Sequence, residues 1–398
     1  MTTPTPGSLQ PLESITRTES TTMRLRVRNF RKLASLDWAP HGVCLLVGPN
    51  GAGKTTALKA LQFLQTIWLR GMSQAVRLSG GARAIRTRGA GIDAPVELEL
   101  SDGVVTWRLK LAVEGDGLHP YFGERVQTGG EVLLEVPVLA STYQLGDTTR
   151  GRSDRSEIEI LHTVTQDPRL KALSEFVSAL RIFTGWWIPD VLRPESGDDG
   201  NKVLRLSGRN LIPVLQSWKK APRRNRGQFD WVLQQAIRAF PDVIADLEFD
   251  NDGSAHLFPV DSSSADDTLP LHLAPDGLIR GLLVLTAVAG APNGTVVAID
   301  DFEEALHPHA IRSILASIRE WSAEHDLTVI LTTHSPVVLN GFRDEPDQVF
   351  VLGHGQAGLP NPASMADLHS EEWLAQSKLG TLYEQLAFAA PPAKTGTK

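Results

Sequence analysis

The eight residues from Gly48 to Thr55, GPNGAGKT, fit the template G-x-x-x-x-G-K-[ST] of a loop that binds phosphate. Glycines in such a loop let backbone N–H groups turn inward around a polyphosphate, and the helix that follows points its positive end at it. Lys54 is expected to reach the β- and γ-phosphates, and the Thr55 hydroxyl to ligate Mg²⁺. The predicted phosphate-binding set is Gly48, Pro49, Asn50, Gly51, Ala52, Gly53, Lys54, Thr55 and Thr56.

Two later apolar runs end in polar side chains. In VVAIDDFEE, Asp300 is placed to hold magnesium, and Asp301 could polarise an attacking water. The run Thr328 to Leu331 leads into TTHS, where His334 could hydrogen-bond a γ-phosphate. Each group follows an apolar strand, at the end where open α/β sheets bind ligands.

The elements that must position these groups can be read from hydrophobic patterning. GVCLLV, residues 42–47, predicts a strand buried on both sides, and residues 55–69 have helical spacing. Residues 95–135 alternate like a β-meander, residues 145–157 look like an exposed connection, and residues 170–246 are mostly helical in pattern. From about Leu271 strands and helices alternate again, so an α/β fold is expected.

Composition narrows the class further. The 398 residues carry 39 Lys and Arg against 46 Asp and Glu, a net charge of −7, which excludes a uniformly basic coat for nucleic acid. A single cysteine, Cys44, fits a reducing compartment. The longest apolar run, residues 282–291, is too short to span a bilayer. We therefore expect a cytoplasmic protein with no membrane partner.

Three motifs in this order, GPNGAGKT, IDDFEEALHP and THSP, resemble the OLD/RecF/SMC-like group of ABC-type ATPases. The segment NFRKLASLDW before the loop is similar to the opening strand and turn of that group. The resemblance, which covers residues 23 to about 353, implies ATP and Mg²⁺ as cofactors. It also implies that Asp300 is the Walker B carboxylate, that His334 is the switch histidine, and that Arg31 lies near the nucleotide.

The spacing of the motifs predicts how the chain is divided. Lys54 and Asp300 are 300 − 54 = 246 residues apart, far more than in the compact nucleotide-binding subunits of membrane transporters. We therefore expect a P-loop ABC-type ATPase head with a β-meander subregion and a mostly helical insertion between Walker A and Walker B. The predicted segments are a disordered tail (1–22), the first half of the head (23–150), the insertion (151–265), the second half of the head (266–390) and a second tail (391–398).

Two departures from the group predict slow turnover. The group usually has Glu directly after the Walker B aspartate, whereas this chain has the shorter Asp301. Glu303, two residues further on, could compensate as a catalytic carboxylate, although the resemblance suggests a structural or supporting role. In the segment LAPDGLIRGLL, Pro275 occupies the position of the signature serine, so that Asp276, the Gly277 backbone and the helix N-terminus remain to contact a γ-phosphate bound by the opposite subunit.

The resemblance implies an ATPase that forms a homodimer on binding ATP and acts in DNA repair or in defence against phage, beside a separate effector or nuclease. After His334 only 398 − 334 = 64 residues remain, without the acidic pattern of a metal-dependent nuclease, so no nuclease domain is expected. The alternative is a nucleotide-dependent scaffold with negligible hydrolysis. A transporter energy subunit is disfavoured by the long insertion.

One basic segment offers a nucleic-acid contact. Residues 218–226 hold one tryptophan and five cations: Lys219, Lys220, Arg223, Arg224 and Arg226. They predict either a contact with the phosphate backbone of DNA or an ordinary solvated loop, and the sequence does not decide between the two. Trp186 and Trp187 are read as core or interface residues, with stacking on a nucleobase as the alternative.

Overall fold

The computed structural model describes residues 23–91, 94–112, 121–138, 140–145, 148–151, 153–154, 156–192, 203–222, 226–250, 253–261, 268–353, 361–376 and 378–384. Within these ranges the strands are β1 (Arg24–Phe30), β2 (Leu33–Trp38), β3 (Val43–Val47), β4 (Val96–Ser101), β5 (Val105–Ala112), β6 (Tyr121–Thr128), β7 (Glu131–Val136), β8 (Thr142–Leu145), β9 (Thr148–Gly151), β10 (Arg181–Phe183), β11 (Asp246–Phe249), β12 (Ala255–Phe258), β13 (Leu269–Pro270), β14 (Val296–Ile299), β15 (Thr328–Thr332), β16 (Val349–Val351) and β17 (Ala363–Ser364).

The helices within the same ranges are α1 (Lys54–Arg70), α2 (Met72–Leu78), α3 (Ala82–Ile85), α4 (Ile158–Thr165), α5 (Pro168–Ala179), α6 (Ile188–Val191), α7 (Leu211–Lys220), α8 (Gly227–Ala239), α9 (Asp276–Ala289), α10 (Pro308–His325), α11 (Pro336–Asn340), α12 (Met365–Leu368), α13 (Glu371–Gln376) and α14 (Leu379–Glu384).

The central sheet has the strand order β10-β14-β15-β3-β16-β17 and is parallel except for β17. Its strand β3 is almost entirely apolar because both of its faces are covered. Leu45 and Val47 lie in one hydrophobic cluster, whereas Cys44 and Leu46 lie in the other. The sheet therefore separates two hydrophobic cores. Asp300 and His334, which were predicted to act together, follow β14 and β15 at its carboxyl edge.

A second six-stranded sheet, of order β2-β1-β4-β5-β6-β7, is antiparallel throughout and contains the predicted β-meander. Alternate residues of β5, such as Trp107 and Leu109, are fully buried against α1 and its neighbours. The outer face carries ion pairs between neighbouring strands, for example Arg24 with Asp37 at 2.6 Å. Such exposed pairs add little stability each, and they keep the outer face polar.

The segment predicted to be a mostly helical insertion contains α4 to α8, and α8 packs on α9 and α10. The structure adds strands that the pattern did not show. Within this segment, β11 and β12 form a small antiparallel sheet with β13. The three-residue strand β10 of the same segment pairs in parallel with β14, so this segment also supplies an edge of the central sheet. A strand of three residues is too short to display a period of two.

The connection predicted to be exposed at residues 145–157 is in part buried. Glu157 is only 1% exposed, and its main-chain N–H donates to Glu124 Oε2 at 2.8 Å. Glu124 also accepts from Trp107 Nε1 at 2.7 Å and from Ser156 Oγ. A buried carboxylate needs such donors, and they tie this connection to the antiparallel sheet.

The α/β class predicted from the sequence is confirmed. Among the residues that the structure describes, no helix combines the length and apolar character needed to cross a bilayer.

Candidate nucleotide site

The predicted phosphate loop joins β3 to α1, as its motif requires. Gly48, Gly51 and Gly53 have φ values of 149°, 82° and 112°, a region that favours glycine. A Cβ on Gly48 would lie 2.3 Å from the Leu352 carbonyl oxygen, so the loop also needs glycine for its close approach to the chain after β16. The N-terminus of α1 has no side-chain cap, which leaves its N–H groups directed at the loop.

Lys54, the first residue of α1, is only 6% exposed. Its ammonium donates to the main-chain oxygen of Gly48 at 2.9 Å, across the mouth of the loop. Burial lowers the pKa of Lys54, while the charges of Asp301, Asp300 and Glu303 oppose this change. The lysine therefore faces the carboxylates of the Walker B segment.

Asp300 follows β14 and is 5% exposed. Its Oδ1 accepts from the Thr332 hydroxyl at 2.5 Å, and its carboxylate also hydrogen-bonds Thr55. Burial raises the pKa of Asp300, and the two hydroxyl donors counter this effect. Since Thr55 lies in the first turn of α1 and Asp300 directly follows β14, the fold itself brings the two predicted magnesium ligands together.

Asp301 is exposed and has a φ of 46°, an unusual backbone conformation for a residue other than glycine. Its N–H donates to Thr332 Oγ1 at 2.9 Å. Thr332 therefore holds both aspartates, one through the side chain and one through the backbone. Thr332 was not anticipated from the sequence, although a hydroxyl at the end of an apolar strand is a usable signal.

Arg280 of α9 lies beneath this turn and is 2% exposed. One guanidinium nitrogen donates to the carbonyl oxygens of Asp300 and Asp301 at 3.0 and 2.7 Å, and another pairs with Glu304 at 3.3 Å. The guanidinium also lies over the ring of Trp186, 4.7 Å from its centroid. Sequence reasoning missed Arg280, although a lone cation in an apolar helix was a signal.

Glu303 and His334 are joined through the backbone. The N–H of His334 donates to Glu303 Oε1 at 2.7 Å, and the ring Nδ1 lies 3.1 Å from the hydroxyl oxygen of Tyr383. Glu303 therefore holds the backbone of the loop after β15. Tyr383, on the last described helix, was not anticipated.

The signature-like segment forms the N-terminus of α9, with Pro275 as its cap residue and no side-chain cap hydrogen bond. Pro275 and Asp276 are exposed, while Gly277 packs against the turn after β14. A Cβ on Gly277 would lie 2.7 Å from the Ala305 carbonyl oxygen. Gly277 thus has a packing role in this chain, besides any contact with a nucleotide.

Arg31, predicted to lie near the nucleotide, is directed elsewhere. Its guanidinium donates to the Ser79 carbonyl at 2.6 Å and lies over the Phe30 ring. The reason is local, because Arg31 has a φ of 53° that reverses the chain between β1 and β2. The next residue, Lys32, takes the place beside the loop: its ammonium is 3.4 Å from the position of a Cβ on Gly51.

Part of the basic segment is already engaged within the chain. Lys219 donates to the Leu247 carbonyl at 2.6 Å and lies over the Phe229 ring. Arg226 pairs with Asp230 at 3.4 Å. Lys220 is exposed, and Arg223 and Arg224 lie outside the described residues. The two neighbouring tryptophans differ in burial: Trp186 is buried under Arg280, whereas Trp187 is 68% exposed.

The donor set fits magnesium carried by a nucleotide. In the described part of the chain, no cluster of three or more His, Cys, Asp or Glu side chains suits a metal ion. Mg²⁺ usually binds one or two protein oxygens together with substrate phosphates and water. Thr55 and Asp300, which are joined by a hydrogen bond at the mouth of an uncapped helix, offer such a pair.

This geometry places the chain among the ABC-type P-loop ATPases of the OLD/RecF/SMC group. Residues 43–340 match the family described as "AAA domain, putative AbiEii toxin, Type IV TA system", and the chain belongs to that family.

Three curated proteins are similar to the chain. It is 26% identical over 330 residues to the OLD nuclease of Thermus scotoductus, a match that covers 79% of this chain and 59% of that protein. It is 54% identical over 44 residues to the DNA replication and repair protein RecF of Herpetosiphon aurantiacus, covering 11% of each chain. It is 31% identical over 114 residues to the methionine import ATP-binding protein MetN of Photobacterium profundum, covering 29% of this chain and 31% of that one. The chain thus spans about three fifths of the OLD nuclease and less of the other two proteins.

Among solved structures, an Smc head bound to the C-winged helix domain of ScpA is similar with a TM-score of 0.45 and 13% identity, over 83% of this chain and 94% of that one. The SMC head domain of Thermotoga maritima gives a TM-score of 0.43 and 11% identity, over 86% and 96%.

Proposed function

We propose that this protein binds ATP with Mg²⁺ and hydrolyses it slowly, and that two copies close on each other when ATP is bound. The observation that carries the proposal is the buried Asp300 carboxylate, which hydrogen-bonds both Thr55 of the phosphate loop and Thr332 of β15. One side chain thereby joins the ends of β14 and β15 to the first turn of α1, around the place where the phosphates would lie.

The roles follow from position. Lys54 and the N–H groups of α1 bind the β- and γ-phosphates, and Thr55 and Asp300 hold the metal ion. When bound, Mg²⁺ would neutralise part of the negative charge of the phosphates. Asp301 orients the attacking water, and the His334 ring donates a hydrogen bond to the γ-phosphate. Glu303 holds the His334 backbone.

Closure of two copies would complete each site with the α9 N-terminus of the partner. This proposal is supported by the exposure of Leu273, Pro275 and Asp276 around a helix end whose N–H groups have no side-chain cap. Such an end attracts anions. Because Pro275 brings no hydroxyl group, the partner would contribute backbone donors alone, which is one reason to expect slow turnover.

The biological setting is inferred from relatives. One is described as an OLD nuclease and another as a DNA replication and repair protein. We infer that the chain acts in DNA repair or in defence against phage and controls a separate effector or nuclease.

The test is ATP turnover of the pure protein with and without double-stranded DNA, with Lys54→Ala as the blank. Turnover that depends on Mg²⁺ and is lost in the blank supports the proposed enzyme, and stimulation by DNA supports the DNA-linked role. Turnover that is the same in both proteins would overturn the assignment of the site. Turnover that is lost in the blank but indifferent to DNA would reject DNA as the trigger.

A second candidate is a nucleotide-dependent scaffold that assembles a partner protein without appreciable hydrolysis. It is favoured by the short Asp301 side chain and by Pro275 in the signature-like segment. ATP-dependent dimerisation by the wild-type chain, with turnover no higher than that of Lys54→Ala, would select it.

A further inference from the structure

The last described helix, α14, brings a phenol to the loop that follows β15. Tyr383 Oη lies 3.1 Å from Nδ1 of His334, 383 − 334 = 49 residues away in the chain. His334 itself is exposed, so its other ring nitrogen is free to face a ligand at the carboxyl edge of the sheet. The question is which of the two groups provides the proton in this hydrogen bond.

The surroundings are compatible with the phenol as the donor. Glu303 Oε1 accepts the main-chain N–H of His334 at 2.7 Å, and Glu303 Oε2 is buried with no hydrogen-bond partner among the described residues. The phenol proton is therefore not given to that oxygen. Burial, together with the charge of Glu303, raises the pKa of Tyr383, so the phenol keeps its proton at neutral pH. A phenol that donates to Nδ1 leaves the imidazole proton on Nε2.

The position of Tyr383 is set by the docking of α14 on α11. Leu379 and Leu382 are buried, and the Gly380 N–H donates to Asn340 Oδ1 at 2.9 Å. A Cβ on Gly380 would lie 2.5 Å from the Pro336 carbonyl oxygen, so the contact requires glycine. Because α11 begins two residues after His334, α14 and the histidine loop are held as one unit.

We propose that Tyr383 is a positioning residue that holds His334 in the Nε2–H tautomer, so that the ring can donate to a γ-phosphate oxygen, and that docking of α14 therefore controls turnover. The proposal rests on the role assigned above to His334. It gives α14 a regulatory function: a partner that pulls α14 from α11 would release the histidine without touching the nucleotide.

The first experiment reads the imidazole directly, in the full chain without nucleotide. The ¹⁵N shifts of the imidazole distinguish a protonated from an unprotonated ring nitrogen, and His334→Gln identifies the signals among the 11 histidines. We expect an unprotonated, hydrogen-bonded Nδ1 in the native chain and a shifted Nδ1 signal in Tyr383→Phe. A protonated Nδ1 in the neutral native ring, or an unchanged spectrum in the variant, would overturn the proposal.

The second experiment measures turnover. Tyr383→Phe keeps the ring and loses the hydroxyl, and we expect kcat to fall about tenfold with KM for ATP nearly unchanged, because a misplaced catalytic group costs rate rather than binding. Gly380→Ala should lower kcat in the same way, and the double variant should be no slower than the slower single one. Tyr143→Phe is the matched control. The Tyr143 hydroxyl donates to Glu157, which is not part of the nucleotide site, so its loss should leave kcat unchanged.

The outcomes separate the two proposals. A shifted Nδ1 signal together with an undiminished kcat would overturn the control of turnover by α14. If the wild-type chain does not hydrolyse ATP at all, the proposed enzyme fails and so does the control of turnover, while the ¹⁵N spectrum still decides whether Tyr383 donates to His334.

Discussion

Arg280 and Asp301 lie on different elements, and the guanidinium of one donates to the carbonyl oxygen of the other at 2.7 Å. Asp301 has a positive φ of 46°, so its backbone conformation must be maintained by its surroundings. Arg280 is on the helix that begins with the signature-like segment. A displacement of that helix would therefore reach the residue proposed to orient water.

Replacement of Arg280 should separate stability from catalysis. Arg280→Ala leaves two carbonyl oxygens without their donor, and we expect a loss of about 3 kcal/mol in the free energy of unfolding. Arg280→Lys keeps the charge but not the planar fork of donors. We expect this variant to fold, to bind ATP normally and to turn over about tenfold more slowly, as measured by urea unfolding, nucleotide titration and phosphate release. Wild-type turnover in Arg280→Lys would rule out a role in placing Asp301.

Lengthening one carboxylate should speed the enzyme. Asp301→Glu extends the side chain by one methylene towards the proposed water, and a misplacement near 1 Å can cost about 10²-fold in rate. We expect kcat to rise several-fold with unchanged ATP affinity, and Asp301→Asn to abolish turnover. A rate in Asp301→Glu equal to that of the wild type would place the limiting step elsewhere.

The buried Glu124 predicts a pH dependence of stability. Burial raises the pKa of Glu124 from an ordinary 4.5 to about 6. The folded protein thus binds the Glu124 proton more tightly than the unfolded chain does. The contribution of this proton to the free energy of unfolding is therefore full below pH 4.5 and is lost as the pH rises through about 6. Its size is roughly 2 kcal/mol. The difference in unfolding free energy between wild type and Glu124→Gln should shrink by that amount from pH 4 to pH 7; a constant difference would contradict the prediction.

Gly277 should be required for packing as well as for any nucleotide contact. In Gly277→Ala the new methyl group meets the Ala305 carbonyl at 2.7 Å, and backbone must shift to admit it. We expect a loss of about 1–3 kcal/mol and slower turnover. Gly227→Ala, at the first position of α8 with open space around it, is the control and should change stability by less than about 1 kcal/mol. Equal thermal transitions for the two variants would refute the close approach.

The basic segment divides into two tests. Lys219→Met should lower stability, since Lys219 holds the Leu247 carbonyl, and should leave DNA affinity unchanged. Replacement of Lys220, Arg223 and Arg224 by Ala should weaken DNA binding equally for all sequences and lower the salt slope by about 0.9 for each phosphate that is no longer neutralised. Unaltered DNA affinity in that triple variant would reject a role of these cations in DNA binding.

Much of the nucleotide site was predictable because its parts are local in sequence. The phosphate loop is eight consecutive residues between an apolar strand and an amphipathic helix, and Asp300 directly follows the apolar strand β14. The bounds of β15 agree with the predicted run Thr328 to Leu331 to within one residue. Short-range periodicity and turn chemistry contain this information.

What could not be predicted depends on contacts between distant segments. Nothing near Tyr383 in the sequence indicates His334, and the three residues of β10 carry no periodic signal. Lys32, and not Arg31, lies beside the phosphate loop because Arg31 has a positive φ of 53°. A residue other than glycine adopts such an angle only under local constraint, which the sequence does not reveal. Arg280 was visible as a lone cation in an apolar helix, but its partners were not.

The parallel pairing of β3 has a consequence for synthesis of the chain. Val43 pairs with Val329, a sequence separation of 329 − 43 = 286 residues. At about 5–20 residues per second, the strand VCLLV leaves the ribosome roughly 15 to 60 seconds before β15 exists. During that interval both edges of β3 are open and its apolar faces are incompletely covered, the condition under which strands aggregate. The nascent chain is therefore expected to depend on chaperones until residue 332 has emerged.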